Sequence, residues 1–374
     1  MSKAKGRMSS KWIAALAGVG LMGLAVAARA ETASELQTLL ASAMTGGQVP
    51  AMGAAVIRDG KIEAVAVRGV RRADQPAPVQ PDDSWIIGST AKPQTAALIA
   101  RLVDRGVLSW DAPLAKMLPD LAETMRPEYR AVTLVQLLSH QSGLPENISD
   151  LSIFEAYFKD PRPVSAQRLD YIARTLAETP AYAPGTDSAY SNTGFVIAAA
   201  IAERATGKTY ETLIRQEVFA PLGMTSAGFA ATGPGQPMGH DKGKPVGPSN
   251  PDMFAPAGNL HMSLGDWAKF NADQLAGAKG HGRLLSPASY RLMQTRQQHA
   301  ANGLDWGVQP TIAGRKGPAL IHGGSDGFWF AYVVLFPESG NGALVIDNAS
   351  AEMGGDAAAR TVLKALLTGL APPQ

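Results

Sequence analysis

The chain has 374 residues, enough for one large domain or two ordinary ones, and 45% hydrophobic with 18% charged residues is typical of a globular protein. It contains no cysteine, which excludes disulfides and thiol chemistry. The first 30 residues hold five of the 34 basic side chains and none of the 32 acids, so the rest carries 29 against 32, a net charge of −3. With no basic stripe left, nucleic acid is excluded as a partner.

The N-terminus has the three parts of a secretory signal. Residues 1–11 are basic, residues 12–27 are apolar, and Ala28-Arg29-Ala30 is a small-residue cleavage site. The alternative is an uncleaved membrane anchor, but the apolar run is short for a span of about 20 residues. We therefore expect a periplasmic or secreted protein with no membrane span after cleavage.

The remaining chain has β-rich ends and a helical middle. A helix is predicted over 32–44, followed by two β arms around the hairpin signal Asp59-Gly60 and a loop over 71–83. Further predicted elements are helices over 94–104, 133–139, 166–178 and 192–206, an irregular Gly- and Pro-rich stretch over 228–256, two β arms within 328–350 and a closing helix over 351–370.

Ser263 and Asp266 form a capping box for a helix that ends near residue 275, so Asp266 is interpreted as a helix-start carboxylate rather than a catalytic one. This order of elements predicts one sheet built from both chain ends and an inserted helical subdomain. The expected division is a signal peptide over 1–30 and one domain over 31–374. Within that domain, 31–87 and 256–374 contain the sheet and 88–255 is mainly helical.

One segment, Gly323-Gly324-Ser325-Asp326-Gly327, matches the G-x-S-x-G pattern of a nucleophile elbow. An elbow requires a helix after the serine and a histidine later in the chain. Residues 328–336 instead have the composition of a strand, and His322 is the last histidine. We therefore reject Ser325 as the nucleophile.

A better candidate is Ser89, which forms S-x-x-K with Lys92 at the start of a probable helix. Residues i and i+3 share a helix face, so the lysine can reach the serine hydroxyl and act as its base if burial lowers its pKa. Two other segments carry suitable chemistry. Tyr190-Ser191-Asn192 is the sole Y-x-N of the sequence, and His322-Gly323-Gly324 lets a substrate backbone lie close to a predicted strand.

In this order the three segments resemble the motifs of the serine β-lactamase and penicillin-binding protein superfamily, with the nearest likeness to its class C-like branch. The likeness extends over most of the chain after the signal. It includes the stretches LLSHQSGLP, PGTDSAYSNTGF, ATGKTYETLIRQEVFAPLGM, APAGNLHMSLGDWAKF and LIHGGSDGF. The resemblance implies the α/β (α+β) class, with an antiparallel sheet flanked by helices, and makes 31–374 a β-lactamase-like hydrolase domain.

The resemblance also implies a role for each matching residue. Ser89 would form an acyl-enzyme, while Lys92 and Tyr190 would share its proton. Asn192, His322, Gly323 and Gly324 would bind substrate, and the backbone N–H groups of Ser89 and Ser325 would form the oxyanion hole. His140, in the SHQSG loop, is interpreted as structural. No metal cluster, Walker motif or dinucleotide fingerprint occurs, so neither metal nor cofactor is expected.

Two departures from the family pattern matter. His322-Gly323-Gly324 stands where most members have Lys-Thr/Ser-Gly, so a substrate carboxylate loses an anchor unless Arg315 or Lys316 replaces it. We expect a mostly neutral His322 that polarises Tyr190 or donates a hydrogen bond to substrate. In addition, Pro93 requires the helix after Ser89 to start late or bend.

The sequence thus predicts an exported serine hydrolase for a small ester or a D-amino-acid amide or peptide, with weak β-lactam turnover. Two alternatives stay open: a class C-type β-lactamase or D,D-carboxypeptidase, and a penicillin-binding or cell-wall-binding protein without turnover. The expected partner is a small-molecule or peptide substrate, with peptidoglycan-derived peptides among the candidates.

Overall fold

The computed structural model describes residues 32–312 and 315–370, so the predicted signal peptide lies outside the described residues. The strands are β1 (Ala51–Arg58), β2 (Lys61–Arg72), β3 (Gln75–Pro78), β4 (Trp85–Ile86), β5 (Gly228–Phe229), β6 (Gly239–Asp241), β7 (Lys244–Val246), β8 (Leu260–Met262), β9 (Gly307–Ile312), β10 (Arg315–Ser325), β11 (Phe330–Phe336) and β12 (Asn341–Asp347).

The α-helices are α1 (Ala33–Met44), α2 (Lys92–Asp104), α3 (Leu114–Met117), α4 (Leu134–Leu138), α5 (Leu151–Ala156), α6 (Val164–Thr175), α7 (Thr193–Thr206), α8 (Tyr210–Ile214), α9 (Ala220–Leu222), α10 (Ala255–Gly258), α11 (Leu264–Ala278), α12 (Pro287–Gln294) and α13 (Gly355–Leu370). A π-helical turn, Arg215–Phe219, joins α8 to α9. No helix in the described ranges is long and apolar enough to cross a membrane.

The main sheet has seven antiparallel strands in the order β3-β2-β1-β12-β11-β10-β9. Its centre joins the two ends of the chain, because β1 pairs with β12 and Ala54 lies opposite Val345. The β1–β2 hairpin turns at Asp59 and Gly60, which both have positive φ, as a primed turn requires. The predicted fold class, an antiparallel sheet flanked by helices, is confirmed.

Side chains alternate between the two faces of the sheet, as the period of two in a strand requires. In β11, Phe330, Tyr332 and Val334 pack under α1 and α13. Ala331 and Val333 point into the larger core shared with the helical part of the molecule. The sheet is therefore covered on both sides, and one end of β10 reaches the helical part.

Helices α2 and α7 form the centre of that helical part. Residues 92–100 of α2 and 193–202 of α7 are buried, which explains why neither helix has a polar stripe in the sequence. Gly194 allows α7 to approach α4, since a Cβ there would lie 2.7 Å from the Leu137 carbonyl oxygen. Helix α7 thus packs closely on α4 and also lies against α2.

Three sequence predictions were wrong in part. The predicted loop over 71–83 contains the edge strand β3, which tolerates two prolines because an edge strand leaves N–H positions unpaired. The predicted irregular region over 228–256 contains the short strands β5, β6 and β7. The closing helix also begins later than predicted, at Gly355, after a 3-10 turn at Ala351–Met353.

Candidate active site

Ser89 lies in a short 3-10 turn, Gly88–Ala91, that leads directly into α2. The α-helix proper begins at Lys92, so Pro93 falls in its first turn, where a missing N–H is tolerated. The helix therefore starts late, as Pro93 led us to expect. The 3-10 turn keeps the serine and the lysine on the same side.

Lys92 is completely buried and its Nζ lies 3.0 Å from Ser89 Oγ. The same Nζ contacts the carbonyl oxygen of Ala257 in α10. Burial lowers the pKa of Lys92 to about 7, although the negative charges of Asp305 and Glu146 oppose the shift. A large fraction of the lysine is thus neutral at pH 7 and able to accept the serine proton.

Tyr190 approaches the same oxygen from the loop before α7, and its hydroxyl donates to Ser89 Oγ at 2.6 Å. Its ring also covers Lys92, with Nζ 4.9 Å from the ring centroid. Burial first, and then the charge of Asp305, raise the pKa of Tyr190 well above 10. The phenol therefore keeps its proton, which suits it to donate rather than to accept.

Asn192 stands at the N-terminus of α7 and is almost buried. Its side-chain amide donates to Asn147 Oδ1 at 3.0 Å, and its backbone N–H donates to the Glu146 carbonyl. These bonds attach the Y-x-N segment to the loop after α4. The side chain of Asn192 thus contacts Asn147, and its role in substrate binding stays a prediction.

The third motif is His322-Gly323-Gly324, and its two glycines let strand β10 lie directly against the Ser89 turn. A Cβ on Gly324 would lie 2.5 Å from the Ile87 carbonyl oxygen and 2.8 Å from the Ser89 nitrogen. A Cβ on Gly88 would lie 2.6 Å from the Ser325 nitrogen. The backbone amides of Ser89 and Ser325 therefore belong to two adjoining stretches of main chain, as an oxyanion hole requires.

The hydroxyl of Ser325 has a local function. It accepts a hydrogen bond from the Gly327 N–H at 2.9 Å and so closes the turn between β10 and β11. Phe330 follows in a strand rather than a helix. Both observations agree with the rejection of Ser325 as an elbow nucleophile.

His322 lies within β10, and both of its ring nitrogens face oxygen atoms of the protein. Nδ1 is 2.9 Å from the carbonyl oxygen of Gly323, and Nε2 is 2.7 Å from Oδ2 of Asp305. The suggestion that His322 polarises Tyr190 or donates to substrate was wrong for this geometry, because neither nitrogen is left for it. Its assignment to the substrate site otherwise stays a prediction. The side chains of Arg315 and Lys316 lie outside the described part of the molecule.

The sequence analysis missed Asp305, whose carboxylate lies buried behind the site. It accepts from His140 Nε2 at 2.9 Å through Oδ1 and contacts His322 through Oδ2. His140 in turn packs against Tyr190, with ring centroids 4.7 Å apart. No motif marks Asp305, which stands in an irregular stretch, and the structural interpretation of His140 stays a prediction.

Metal ligands do not cluster at this site: among the described residues no group of three or more His, Cys, Asp or Glu could hold a metal ion. The arrangement consists of a serine, a buried lysine of lowered pKa, a protonated tyrosine and paired backbone amides. The chemistry of such a set is that of a serine hydrolase.

The chain belongs to the beta-lactamase family, whose model matches residues 36–367. One relative is penicillin-binding protein 4 of Amycolatopsis lactamdurans, which is 29% identical over 81% of this chain and 82% of its own length. The D-alanyl-D-alanine-carboxypeptidase/endopeptidase AmpH of Escherichia coli K12 is 26% identical over 78% of each chain. Esterase EstB of Burkholderia gladioli is 30% identical over 55% of this chain and 53% of its own.

The fold has close counterparts among solved structures. The octameric penicillin-binding protein homologue from Pyrococcus abyssi superimposes with a TM-score of 0.73 and 25% identity, covering 90% of this chain and 76% of that one. Fold, family and named relatives agree, so this chain is a serine hydrolase of the beta-lactamase family.

Proposed function

We propose that the chain is an exported hydrolase that forms an acyl-enzyme at Ser89 and acts on small esters or on D-amino-acid amides and peptides. The observation that carries the proposal is the convergence of two proton-transfer groups on one oxygen. Lys92 Nζ lies 3.0 Å and the Tyr190 hydroxyl 2.6 Å from Ser89 Oγ.

In the first half-reaction, neutral Lys92 takes the hydroxyl proton while Ser89 Oγ bonds to the substrate carbonyl carbon. The carbonyl oxygen becomes an oxyanion facing the Ser89 and Ser325 amides. When the carbon–leaving-group bond breaks, Tyr190 gives its proton to the leaving group and recovers one from Lys92. Ser89 is left acylated and both partners return to their starting protonation states.

In the second half-reaction, a water molecule takes the place of the leaving group. Lys92 accepts a proton from this water as its oxygen bonds to the acyl carbon. The bond to Ser89 Oγ then breaks, and the serine recovers a proton from the Lys92–Tyr190 pair. The acid is released and the site is restored, so one buried lysine serves as base in both steps.

The third motif supports uncharged substrates over substrates with a carboxylate. Both His322 nitrogens face Asp305 and Gly323, and Gly323 carries no hydroxyl. Among the relatives, the esterase agrees with an uncharged substrate, whereas the D-alanyl-D-alanine carboxypeptidase has by its name a substrate that ends in a carboxylate. Peptidoglycan-derived peptides remain candidate substrates on the strength of the second name.

A D,D-carboxypeptidase is the second candidate, and AmpH is the observation that favours it. A substrate panel on the protein lacking residues 1–30 separates the two. It contains a p-nitrophenyl ester, a D-amino-acid p-nitroanilide, a D-Ala-D-Ala peptide and nitrocefin. We expect kcat/KM for the ester or the anilide to exceed that for nitrocefin at least about tenfold. A D-Ala-D-Ala peptide that outperforms both would favour the carboxypeptidase.

Ser89→Ala tests the nucleophile directly, and we expect loss of ester hydrolysis to the background rate. Ser289→Ala is the matched control, since Ser289 is also buried but its hydroxyl bonds to Asp104, away from the site. Wild-type rates in Ser89→Ala would refute the proposal. Stoichiometric labelling by a penicillin with no turnover of any substrate would instead identify a binding protein.

A further inference from the structure

Asp305 is a charged residue in an unusual backbone position. Its φ is +69°, a left-handed conformation that a non-glycine residue adopts at a conformational cost. Its side chain is also almost completely buried. Residues with such strain persist where the surrounding structure holds them, and they concentrate at functional sites. His140, its partner, has a φ of +63° and is buried as well.

The partners of His140 define where its proton lies. Its Nδ1 faces the backbone N–H of Ser191 at 3.1 Å and must therefore be an acceptor. The proton is then on Nε2, which donates to Asp305 Oδ1 at 2.9 Å. His140 is thus assigned, from its hydrogen bonds, as the neutral Nε2–H tautomer.

The partners of His322 require a different assignment. A carbonyl oxygen can only accept, so Nδ1 beside Gly323 must carry a proton. Nε2 lies 2.7 Å from Oδ2 of Asp305, but that oxygen has no hydrogen-bond partner among the described residues, so the contact assigns no proton to Nε2. Burial alone would raise the pKa of Asp305, but the two histidines outweigh it and hold the pKa well below its ordinary range. The carboxylate between the two rings is therefore ionised.

Asp305 contacts both His140 and His322, and we call this pair of contacts the Asp305 bridge. The bridge connects two of the three sequence motifs behind the reacting serine. Through His140 it supports the ring of Tyr190 and the backbone of Ser191, which both belong to the second motif. Through His322 it holds the strand that carries the third motif. Other ionisable groups around the carboxylate are Lys92, Tyr190 and Glu146, of which Lys92 and Tyr190 both respond to its charge.

We propose that Asp305 is a positioning residue of this site, whose ionised carboxylate holds the rings of His140 and His322 so that Tyr190 stays directed at Ser89. The proposal rests on the proposed function only for its effect on turnover. The hydrogen bonds that it assigns to His140 are independent of any reaction.

The first test is nitrogen-15 NMR of histidine-labelled protein, which reports the tautomer of each imidazole ring. We expect the proton of His140 on Nε2, where it donates to Asp305, with exposed His281 as the internal reference. In Asp305→Asn the amide oxygen can still accept from His140, so this variant should keep the tautomer and the fold. A proton on Nδ1 of His140 in the wild-type protein would overturn the proposal.

The second test is turnover in Asp305→Gly, because glycine accepts the positive φ while the bridge is removed. We expect kcat to fall about 100-fold with KM changed less than about threefold, since a displacement of about 1 Å in a catalytic group has an effect of that size. Asp347→Asn is the control: Asp347 is equally buried but lies on β12, outside the site, and should keep the wild-type kcat. If Asp305→Gly folds and keeps kcat within about twofold, the positioning role is refuted.

The two tests separate this inference from the proposed function. If Ser89→Ala keeps wild-type activity, the proposed mechanism fails, whereas the NMR result still decides the hydrogen bond between His140 and Asp305. If Asp305→Gly does not fold, the NMR comparison of the wild-type protein with Asp305→Asn decides the inference alone.

Discussion

Lys92 Nζ lies 3.0 Å from Ser89 Oγ in a position where the lysine has no exposure to solvent. A charged ammonium in such a place loses its hydration, and this loss lowers its pKa to about 7. The same burial that disfavours the ammonium therefore leaves much of the lysine as a neutral amine, free to accept the proton of a serine hydroxyl at neutral pH. Four predictions follow from this relationship and from the groups around it.

The first prediction concerns pH. Because Lys92 must be neutral to accept the serine proton, kcat/KM for a p-nitrophenyl ester should rise with pH through about 7 and then level off. The raised pKa of Tyr190 adds no decline below about pH 10, since the phenol stays protonated. The profile should be measured from pH 5 to 9 with the ionisation of the released nitrophenol corrected. A rate that is flat or falls across this range contradicts the assignment of Lys92 as the base.

The second prediction is that Lys92→Arg lowers kcat/KM by about 10³-fold. An arginine stays protonated in proteins, so it keeps the positive charge but cannot accept the proton of Ser89. Lys269→Arg is the matched control, because Lys269 is partly exposed and bonds to Asp266. Its kcat/KM should stay within about twofold of wild type. Activity of Lys92→Arg near that of the control would show that the lysine acts only as a charge.

The third prediction is that Tyr190→Phe lowers kcat by about 100-fold. The substitution removes the hydroxyl that donates to Ser89 Oγ and leaves the ring packed on His140. Tyr157→Phe, which removes a hydroxyl bonded to Asp170, should leave kcat unchanged. Steady-state rates of the two variants provide the comparison, and equal kcat values would remove Tyr190 from the proton path.

The fourth prediction concerns the backbone of the oxyanion hole. In Gly324→Ala the new methyl group would collide with backbone atoms of Ile87, Ser89 and Thr90, which cannot turn aside as a flexible side chain can. We expect the Ser89 and Ser325 amides to separate and kcat/KM to fall at least about 100-fold.

The control for Gly324→Ala is Gly247→Ala, where a Cβ meets no atom within 4 Å and φ is not positive. Labelling by a fluorophosphonate should slow in Gly324→Ala and not in Gly247→Ala, while circular dichroism checks that both are folded. Normal labelling of a folded Gly324→Ala protein would exclude the oxyanion hole from this position.

Much of the fold could be predicted from the sequence, because strong local patterns decide it. β-rich runs at both chain ends predicted β1, β2, β11 and β12, and the Asp59-Gly60 dipeptide predicted the first hairpin. Short pieces such as β3 and β5 were missed, since two to four residues carry no measurable period. Their pairing depends on neighbours that are distant in the chain.

The sequence predicted those residues of the site that belong to recognisable motifs. Ser89, Lys92 and Tyr190 lie together in the structure, and their catalytic roles remain predictions until the variants are measured. Asp305 could not be found from the sequence, because an aspartate in an irregular segment resembles any solvated loop residue. Its importance arises from a left-handed backbone and from two histidines that lie far from it in sequence and on either side of it in space.

The central claim is that Ser89 carries the acyl group, and mass spectrometry of the trapped adduct tests it most directly. The protein is treated with a fluorophosphonate, digested, and the modified peptide is sequenced by fragmentation. We predict one adduct per chain on Ser89 and none in Ser89→Ala. An adduct on Ser325, or undiminished labelling of Ser89→Ala, would contradict the account.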